Sequence, residues 1–207
     1  EGKVILTSSK RPSRDEIRVA INSFIGEISQ IPPKFSAIKI SGKRAYKLAR
    51  ANEDINIPSR KIKIINLKLI SSDIDTATFE IECGKGTYIR ALARDLAVSL
   101  GTVGHISALR RTKVGAFTEN MAISLDKLDS VVHSALLPEQ ILSLETPLAD
   151  IPALELGESD AQRLRYGQAV KVTSQDVKTV RAKSDKRLVA LAKIEMGKLQ
   201  PLRVFNF

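Results

Sequence analysis

Two hydrophobic patterns meet near the middle of the chain. From residue 76 to 83 polar and apolar positions alternate, which is the period of a strand with one buried face. From residue 89 to 100 apolar positions instead recur every three or four residues, which indicates a helix. The turn between them contains Gly84 and Gly86, so the backbone bends tightly there. We therefore predict a strand, a turn and a helix, and we call residues 84–90 the central corner.

Further elements are predicted on both sides of the central corner. Ser13 and Glu16 form a capping-box pattern that opens a helix, which Gly26 ends. A long alternating strand is predicted over residues 61–70, with a slip at residues 65–66, and it pairs antiparallel with the strand that enters the corner. Other predicted elements are short strands over 4–6 and 109–117, a short helix over 123–128, and an apolar helical linker over 131–144.

The character of the chain changes after residue 145. Strand-like runs at residues 170–172, 180–182 and 188–194 follow a brief helix at 160–166, and this pattern is typical of a small β-rich barrel or sandwich. We predict an α+β fold in three parts. A mixed, mainly antiparallel sheet with flanking helices occupies residues 1–129, a helical linker 130–145, and a β-rich domain 146–207.

Charge adds information about the partner. The 33 lysines and arginines exceed the 23 aspartates and glutamates and give a net charge of +10. Such an excess favours a polyanionic partner, although it is also common on solvated surfaces. No apolar run approaches the roughly 20 residues of a membrane span, and no signal-peptide pattern opens the chain. We expect a monomeric, cytoplasmic protein that does not bind a membrane.

The sequence offers little for metal or thiol chemistry. Cys83 is the only cysteine, which excludes an internal disulfide, and its place at the end of a predicted strand favours a buried, inert thiol. His105 and His133 are the only histidines, and with one cysteine they give no ligand cluster for zinc. We therefore expect no bound metal.

The central corner carries residues that suit an anion or a carboxylate. The first turn of a helix presents free N–H groups, Tyr88 offers a ring and a hydroxyl, and Arg90 offers a fixed fork of donors. The spacing does not fit a P-loop, which needs an earlier glycine. The same residues also fit an ordinary turn, in which the tyrosine packs on the core and the arginine faces water. The local pattern leaves both interpretations open.

Residues 34–50, which we call the basic segment, alternate cations with apolar residues. One side of such a segment can anchor on the protein while the other contacts phosphates, although an exposed hairpin and helix with ordinary lysines fits as well. A second cationic group lies on the predicted strand over residues 109–117. The cations of the basic segment are Lys34, Lys39, Lys43, Arg44, Lys47 and Arg50, and those of the second group are Arg110, Arg111 and Lys113.

Three stretches together resemble a known family. They are residues 31–50, the sequence Gly-Thr-Tyr-Ile-Arg at 86–90, and residues 109–117. In this order and at these separations they are similar to the bacterial TruB family, the tRNA pseudouridine-55 synthases. The resemblance runs from about residue 1 to residue 128, and the end of the chain, residues 201–206, looks like the small PUA-like domain of that family.

The resemblance implies a function and a set of site residues. It implies that the parent protein isomerises the T-loop uridine of tRNA, at position 55, without a cofactor or a metal. Arg90 would pair with a nucleophilic aspartate, while Tyr88 and Leu109 would line the pocket around the flipped base. RNA contacts are expected from Lys34, Lys39, Lys43, Arg44, Arg110 and Arg111.

One part of the family pattern does not occur in these 207 residues. Family members carry that aspartate in an upstream Gly-x-Leu-Asp motif, and the nearest sequence here, Leu125-Asp126, lacks the glycine. We therefore expect this chain to be the carboxyl-terminal two thirds of such an enzyme, truncated or processed, and inactive alone. Two alternatives stay open: a non-catalytic RNA-binding or tRNA-folding module, and a ribosome-associated basic protein that needs no pocket.

Overall fold

A computed structural model describes residues 3–132 and 141–206 of the chain. The chain divides into two compact units, Glu1–Leu109 and Arg110–Phe207. The predicted domain limits at residues 129 and 145 differ from this division and stay a prediction. His133 and half of the helical linker predicted over residues 130–145 lie outside the described residues.

The first unit contains a three-stranded antiparallel sheet in the order β1-β4-β5. Its strands are β1 (Gly26–Gln30), β4 (Arg60–Ser72) and β5 (Ala77–Cys83). The pairing of β4 with β5 shifts between Ile64 and Asn66. The long strand, its partner and the slip are thereby confirmed.

Two helices share one apolar core with this sheet. Helix α1 (Arg14–Ile21) begins with the predicted capping box, in which the Ser13 hydroxyl accepts the Glu16 N–H at 3.3 Å and the Glu16 carboxylate accepts the Ser13 N–H at 2.7 Å. Helix α3 (Ile89–Ser99) follows the central corner. The core consists of Ile17, Ile21, Ile62, Ile64, Leu67, Leu69, Leu92 and Leu96.

The basic segment forms a hairpin and a helix. Strands β2 (Lys39–Ile40) and β3 (Lys43–Arg44) pair antiparallel, and helix α2 (Ala45–Arg50) follows directly. The two turn residues, Ser41 and Gly42, both have positive φ, at 47° and 83°, as the tightest hairpin turns require. A separate small core of Ala45, Ile55 and Ile57 supports this part of the unit.

The second unit begins with a short hairpin and a helix. Strands β6 (Lys113–Val114) and β7 (Phe117–Thr118) pair antiparallel around Gly115, whose φ is +56°. Helix α4 (Leu125–Val131) is capped by Ser124, whose hydroxyl accepts the Lys127 N–H at 3.2 Å. The short helix predicted over residues 123–128 is thus confirmed with a shift toward the carboxyl end.

A five-stranded sheet in the order β8-β10-β11-β12-β9 forms the rest of the second unit. Helix α5 (Glu158–Arg165) packs on it through Ala161 and Leu164, both fully buried. Together with the first unit this gives the α+β, mainly antiparallel architecture expected from the sequence, with a small β-rich domain. The strands are β8 (Ala153–Glu155), β9 (Val170–Lys171), β10 (Val177–Ser184), β11 (Arg187–Glu195) and β12 (Lys198–Val204).

Two predicted strands are wrong. Residues 4–6 form no strand, and Ile5 is 95% exposed, because none of the described residues offers these backbone groups a strand to pair with. Residues 109–112 are irregular, and the remainder of the predicted strand over 109–117 is the tight hairpin of β6 and β7. A positive φ at Gly115 reverses the chain where a continuous strand would need extended backbone.

Candidate functional site

The central corner is held by hydrogen bonds within the turn and to the neighbouring strand. The Gly84 N–H donates to the Lys63 carbonyl at 2.8 Å, and the Thr87 hydroxyl donates to the Gly84 carbonyl at 2.9 Å. Gly86 has a φ of +84°, which an L-residue rarely adopts. The strand, turn and helix predicted here are confirmed, and Tyr88 stands immediately before helix α3.

Gln30 holds the beginning of this helix from the end of β1. Its side-chain oxygen Oε1 accepts the Tyr88 N–H at 2.9 Å, and the residue is only 2% exposed. Its amide nitrogen Nε2 is buried and has no hydrogen-bond partner among the described residues. Gln30 is not among the site residues expected from the sequence. The available signal was a polar residue on the inward face of a short strand, two positions after Ile28.

Arg90 lies in the first turn of α3 and is exposed, but a hydrogen bond fixes the orientation of its side chain. Its guanidinium Nη2 donates to the Phe35 carbonyl at 2.7 Å. One turn later Arg94 donates to the Ile31 carbonyl at 3.0 Å and pairs with Asp95 at 2.8 Å. Together with Gln30, these contacts attach residues 30–35 to the first half of α3, so the basic segment begins directly beside the corner.

Arg90 keeps donors available for a further partner. A guanidinium carries five N–H groups, and the bond to the Phe35 carbonyl uses one of them. Among the described residues no carboxylate pairs with Arg90. The first turn of α3 therefore offers an oriented cation at the positive end of a helix, two residues after a half-buried tyrosine, which suits a carboxylate or a phosphate.

Among the described residues, no contact of Leu109 with the central corner supports its predicted place at the site. It is 65% exposed and belongs to none of the apolar cores of the first unit. Its predicted position in the wall of the pocket stays a prediction. Two surface hollows lie elsewhere, one beside Arg11 and Asp73 and one beside Glu158 and Arg187, and neither includes Tyr88 or Arg90.

The cations of the basic segment differ in their partners. The Arg44 guanidinium donates to the Ala37 carbonyl at 2.5 Å and so supports the hairpin, while Lys34 pairs with Asp54 at 3.6 Å. The side chains of Lys39 and Lys43 are exposed and make no hydrogen bond or ion pair with the described residues. The two lysines of the hairpin are thus available to an external anion.

The cations of the second group lie in the second unit. Arg110 pairs with Glu119, whereas Arg111 is exposed and has no ionic partner in the part of the chain that the structure describes. Arg110 and Arg111 precede β6 in irregular backbone, and Lys113 lies in β6. Of Arg110 and Arg111, therefore, only Arg111 has no carboxylate partner among the described residues.

Residues 3–132 and 141–206 contain neither a cluster of metal-ligand side chains nor a candidate membrane-spanning helix. No group of three or more histidine, cysteine, aspartate or glutamate side chains is arranged there to hold a metal ion. No helix in these ranges combines the length and the apolar character needed to cross a membrane. Cys83 is half-buried at the end of β5.

Comparison with known proteins gives the same family over most of the chain. The family model described as TruB family pseudouridylate synthase (N terminal domain) matches residues 1–89, and the model for the tRNA pseudouridylate synthase B C-terminal domain matches residues 90–149. The tRNA pseudouridine synthase B of Caulobacter vibrioides is 46% identical over 218 residues, which cover 100% of this chain and 70% of the relative. That of Bradyrhizobium diazoefficiens is 48% identical and covers 100% of this chain and 63% of the relative.

Solved structures show the same fold at low identity. A chain of a Cbf5–Nop10–Gar1 complex matches with a TM-score of 0.72 and 23% identity, over 95% of this chain and 62% of that chain. A chain of an H/ACA ribonucleoprotein bound to a substrate RNA containing 2'-deoxyuridine matches with a TM-score of 0.72 and 20% identity, over 97% and 64%. The 207 residues thus span less than two thirds of these solved chains and about 70% or less of the relatives above.

Proposed function

Because this chain belongs to the TruB family of pseudouridylate synthases, we propose that its full-length protein isomerises the T-loop uridine of tRNA, at position 55, to pseudouridine. The observation that carries the proposal is the central corner. There Arg90 is oriented by the Phe35 carbonyl with most of its donors open, two residues after a half-buried tyrosine. The two relatives cited above are both named tRNA pseudouridine synthase B.

The reaction adds no net atom to the nucleotide, because the proton released from C5 to solvent is replaced by one taken up at N1. The bond between the ribose and N1 of uracil breaks, the base rotates, and a bond between the ribose and C5 forms. The proton lost from C5 is balanced by the one that N1 gains, so the change is an isomerisation. The enzyme must supply a carboxylate nucleophile, a site that excludes water and a hold on the flipped base.

Arg90 and Tyr88 fit two of these tasks. A guanidinium beside a carboxylate favours the ionised form, because the charges attract, and it orients the carboxylate through paired N–H donors. We assign this role to Arg90. Tyr88 lines the pocket around the flipped base and supplies a ring and a hydroxyl to it, and Leu109 adds an apolar wall to the same pocket.

The nucleophile itself is not assigned to any residue of this chain. No Gly-x-Leu-Asp sequence occurs in the 207 residues, and the Arg90 guanidinium meets no carboxylate among the described ones. We propose that the aspartate comes from a segment outside these residues, and that the chain alone does not turn over. Neither a cofactor nor a metal takes part.

The basic segment supplies the surface for the RNA. Lys34, Lys39, Lys43 and Arg44 contact phosphates of the T-arm, and Arg110 and Arg111 add contacts from the second unit. Because the bond from Arg90 to the Phe35 carbonyl joins this segment to the corner, RNA that binds the hairpin lies near the site. We propose a monomeric protein that acts in the cytoplasm, where tRNA is available.

Arg90→Ala tests this proposal in the full-length product of the gene. The assay measures tritium release from a T-stem-loop RNA labelled at C5 of uridine. We expect turnover to fall about 100- to 1,000-fold, as when one oriented charge-stabilising donor is removed, while the RNA affinity is retained. The matched control is Arg94→Ala, which removes a guanidinium one turn further along α3 and should cost less than about tenfold. Full activity of Arg90→Ala contradicts the assignment.

The same assay separates two further claims. The 207-residue chain should bind the RNA without releasing tritium, and turnover equal to that of the full-length protein contradicts the proposed external aspartate. The second candidate function is a non-catalytic RNA-binding or tRNA-folding module, favoured by the two unpaired lysines of the hairpin. A full-length protein that binds the stem-loop and never forms pseudouridine supports that candidate instead.

A further inference from the structure

A side chain from a distant part of the sequence accepts a hydrogen bond from the backbone at the start of helix α3, the helix of the candidate site. Tyr88 is the residue before α3, and its carbonyl accepts the Leu92 N–H at 3.0 Å, which is the first bond of the helix. No side chain caps this helix end from within. The Tyr88 N–H instead donates to Gln30 Oε1 at 2.9 Å, across 58 positions of sequence.

Gln30 stands where an apolar residue would be simpler to accommodate. It shares the inward face of β1 with Ile28 and is 2% exposed. Its amide nitrogen Nε2 is buried without a partner among the described residues, and an unpaired buried donor opposes stability. The contact that a glutamine makes here and an apolar residue cannot make is the bond to the Tyr88 N–H.

That bond acts on both functional side chains of the corner. Tyr88 is proposed to line the pocket around the flipped base, and the backbone that follows it leads in two residues to Arg90. The other two contacts from residues 30–35 reach guanidinium groups of α3. Gln30 is therefore the residue of this stretch that fixes the backbone itself. A displacement of about 1 Å at a reacting group costs on the order of 100-fold in rate.

We infer that Gln30 is a positioning residue for the pseudouridine site, acting through Tyr88 and Arg90 and touching no reacting atom. This inference rests on the proposed function. It assigns a catalytic consequence to a residue at the end of β1, outside the helix that carries the site.

Two substitutions separate the acceptor from the remainder of the side chain. Gln30→Met keeps length and approximate volume but removes the acceptor oxygen, while Gln30→Glu keeps an acceptor oxygen at the same place. In the full-length gene product we expect Gln30→Met to lower kcat about ten- to 100-fold, with KM for the stem-loop changed less than about threefold. Gln30→Glu should restore kcat to within about threefold of the parent.

A structural readout accompanies the kinetics. Hydrogen exchange of the Tyr88 amide should be faster in Gln30→Met than in the parent and slow again in Gln30→Glu. The thermal unfolding temperature of each variant shows whether it folds. If Gln30→Met does not fold, Gln30→Glu decides alone: near-parent kcat with slow Tyr88 exchange supports the inference, and a large loss of kcat overturns it.

The outcomes distinguish this inference from the proposed function. A folded Gln30→Met protein with unchanged kcat overturns the inference while the function stands, and so does a Gln30→Glu protein as impaired as Gln30→Met. If the unsubstituted gene product forms no pseudouridine, the proposed function fails. In that case the catalytic role inferred for Gln30 fails as well. Hydrogen exchange of the Tyr88 amide still measures whether Gln30 holds the backbone of the central corner.

Discussion

Two glycines of the central corner should respond in opposite ways to the same substitution. Gly86 has a φ of +84°, and a Cβ added there would meet no atom within 4 Å. Gly84 lies outside the left-handed region, and its added Cβ would stand 3.5 Å from the Lys63 carbonyl oxygen, an ordinary contact. Alanine is therefore strained at Gly86 by the backbone alone, and at Gly84 it is accommodated.

The magnitudes follow from backbone conformation. An L-residue in left-handed backbone costs about 1–2 kcal/mol, and the reduced freedom of the unfolded chain returns about 0.4–1 kcal/mol. Gly86→Ala should therefore destabilise the corner by on the order of 1 kcal/mol. Gly84→Ala keeps the benefit in the unfolded chain and should be neutral or slightly stabilising. The two variants should differ by about 1–2 kcal/mol, or roughly five- to 30-fold in the equilibrium for local opening.

Hydrogen exchange measures this difference where it arises. Peptides that cover residues 84–100 report the opening of the turn and of α3, and the ratio of exchange rates between variants gives the change in opening free energy. Gly86→Asn should fall between glycine and alanine, because asparagine tolerates left-handed backbone better than other residues with a side chain. Equal exchange in the two alanine variants, or faster exchange in Gly84→Ala, would refute the argument from φ.

Two further predictions concern single contacts outside the corner. Ser13→Ala removes one half of the capping box of α1 and should lower the free energy of unfolding by about 1 kcal/mol in urea titrations, whereas Ser13→Thr should keep most of it. Hydrogen bonds from Arg165 and Ser184 hold the pKa of Glu158 below its ordinary value of 4.5, so the stability they give is present above that pH and is lost as the pH falls through the lowered pKa. The thermal unfolding temperature, measured between pH 7 and pH 2, should fall less steeply with pH in Glu158→Gln than in the parent protein. An equally steep fall in both proteins counts against a stabilising role for the ionised Glu158 carboxylate.

Local signals in the sequence were sufficient for the scaffold of the site. Alternation fixed β4 and β5 because each has one face against the core, and the capping pair located the start of α1 within a residue. The slip between Ile64 and Asn66 was visible as a break in that alternation. Each of these features depends on residues a few positions apart, and such patterns are readable without the fold.

Contacts between distant segments could not be predicted in the same way. The strand expected over residues 4–6 failed because a strand needs a partner, and periodicity says nothing about whether one is present. The bonds from Gln30 to Tyr88 and from Arg90 to the Phe35 carbonyl join positions 58 and 55 residues apart. A motif at 86–90 could therefore suggest which side chains matter, but not which segment orients them.

The cations expected to contact RNA differ in whether they already have a partner within the chain, which the net charge does not show. Of the six cations expected to contact RNA, Lys34 and Arg110 already pair with a carboxylate, and Arg44 donates to a carbonyl that holds the hairpin. A phosphate that approaches Arg110 must compete with Glu119, and the gain from releasing a counterion is smaller where the charge is already neutralised. Lys39, Lys43 and Arg111 carry no such partner among the described residues. Affinity for RNA should therefore depend on these three more than on a count of basic residues.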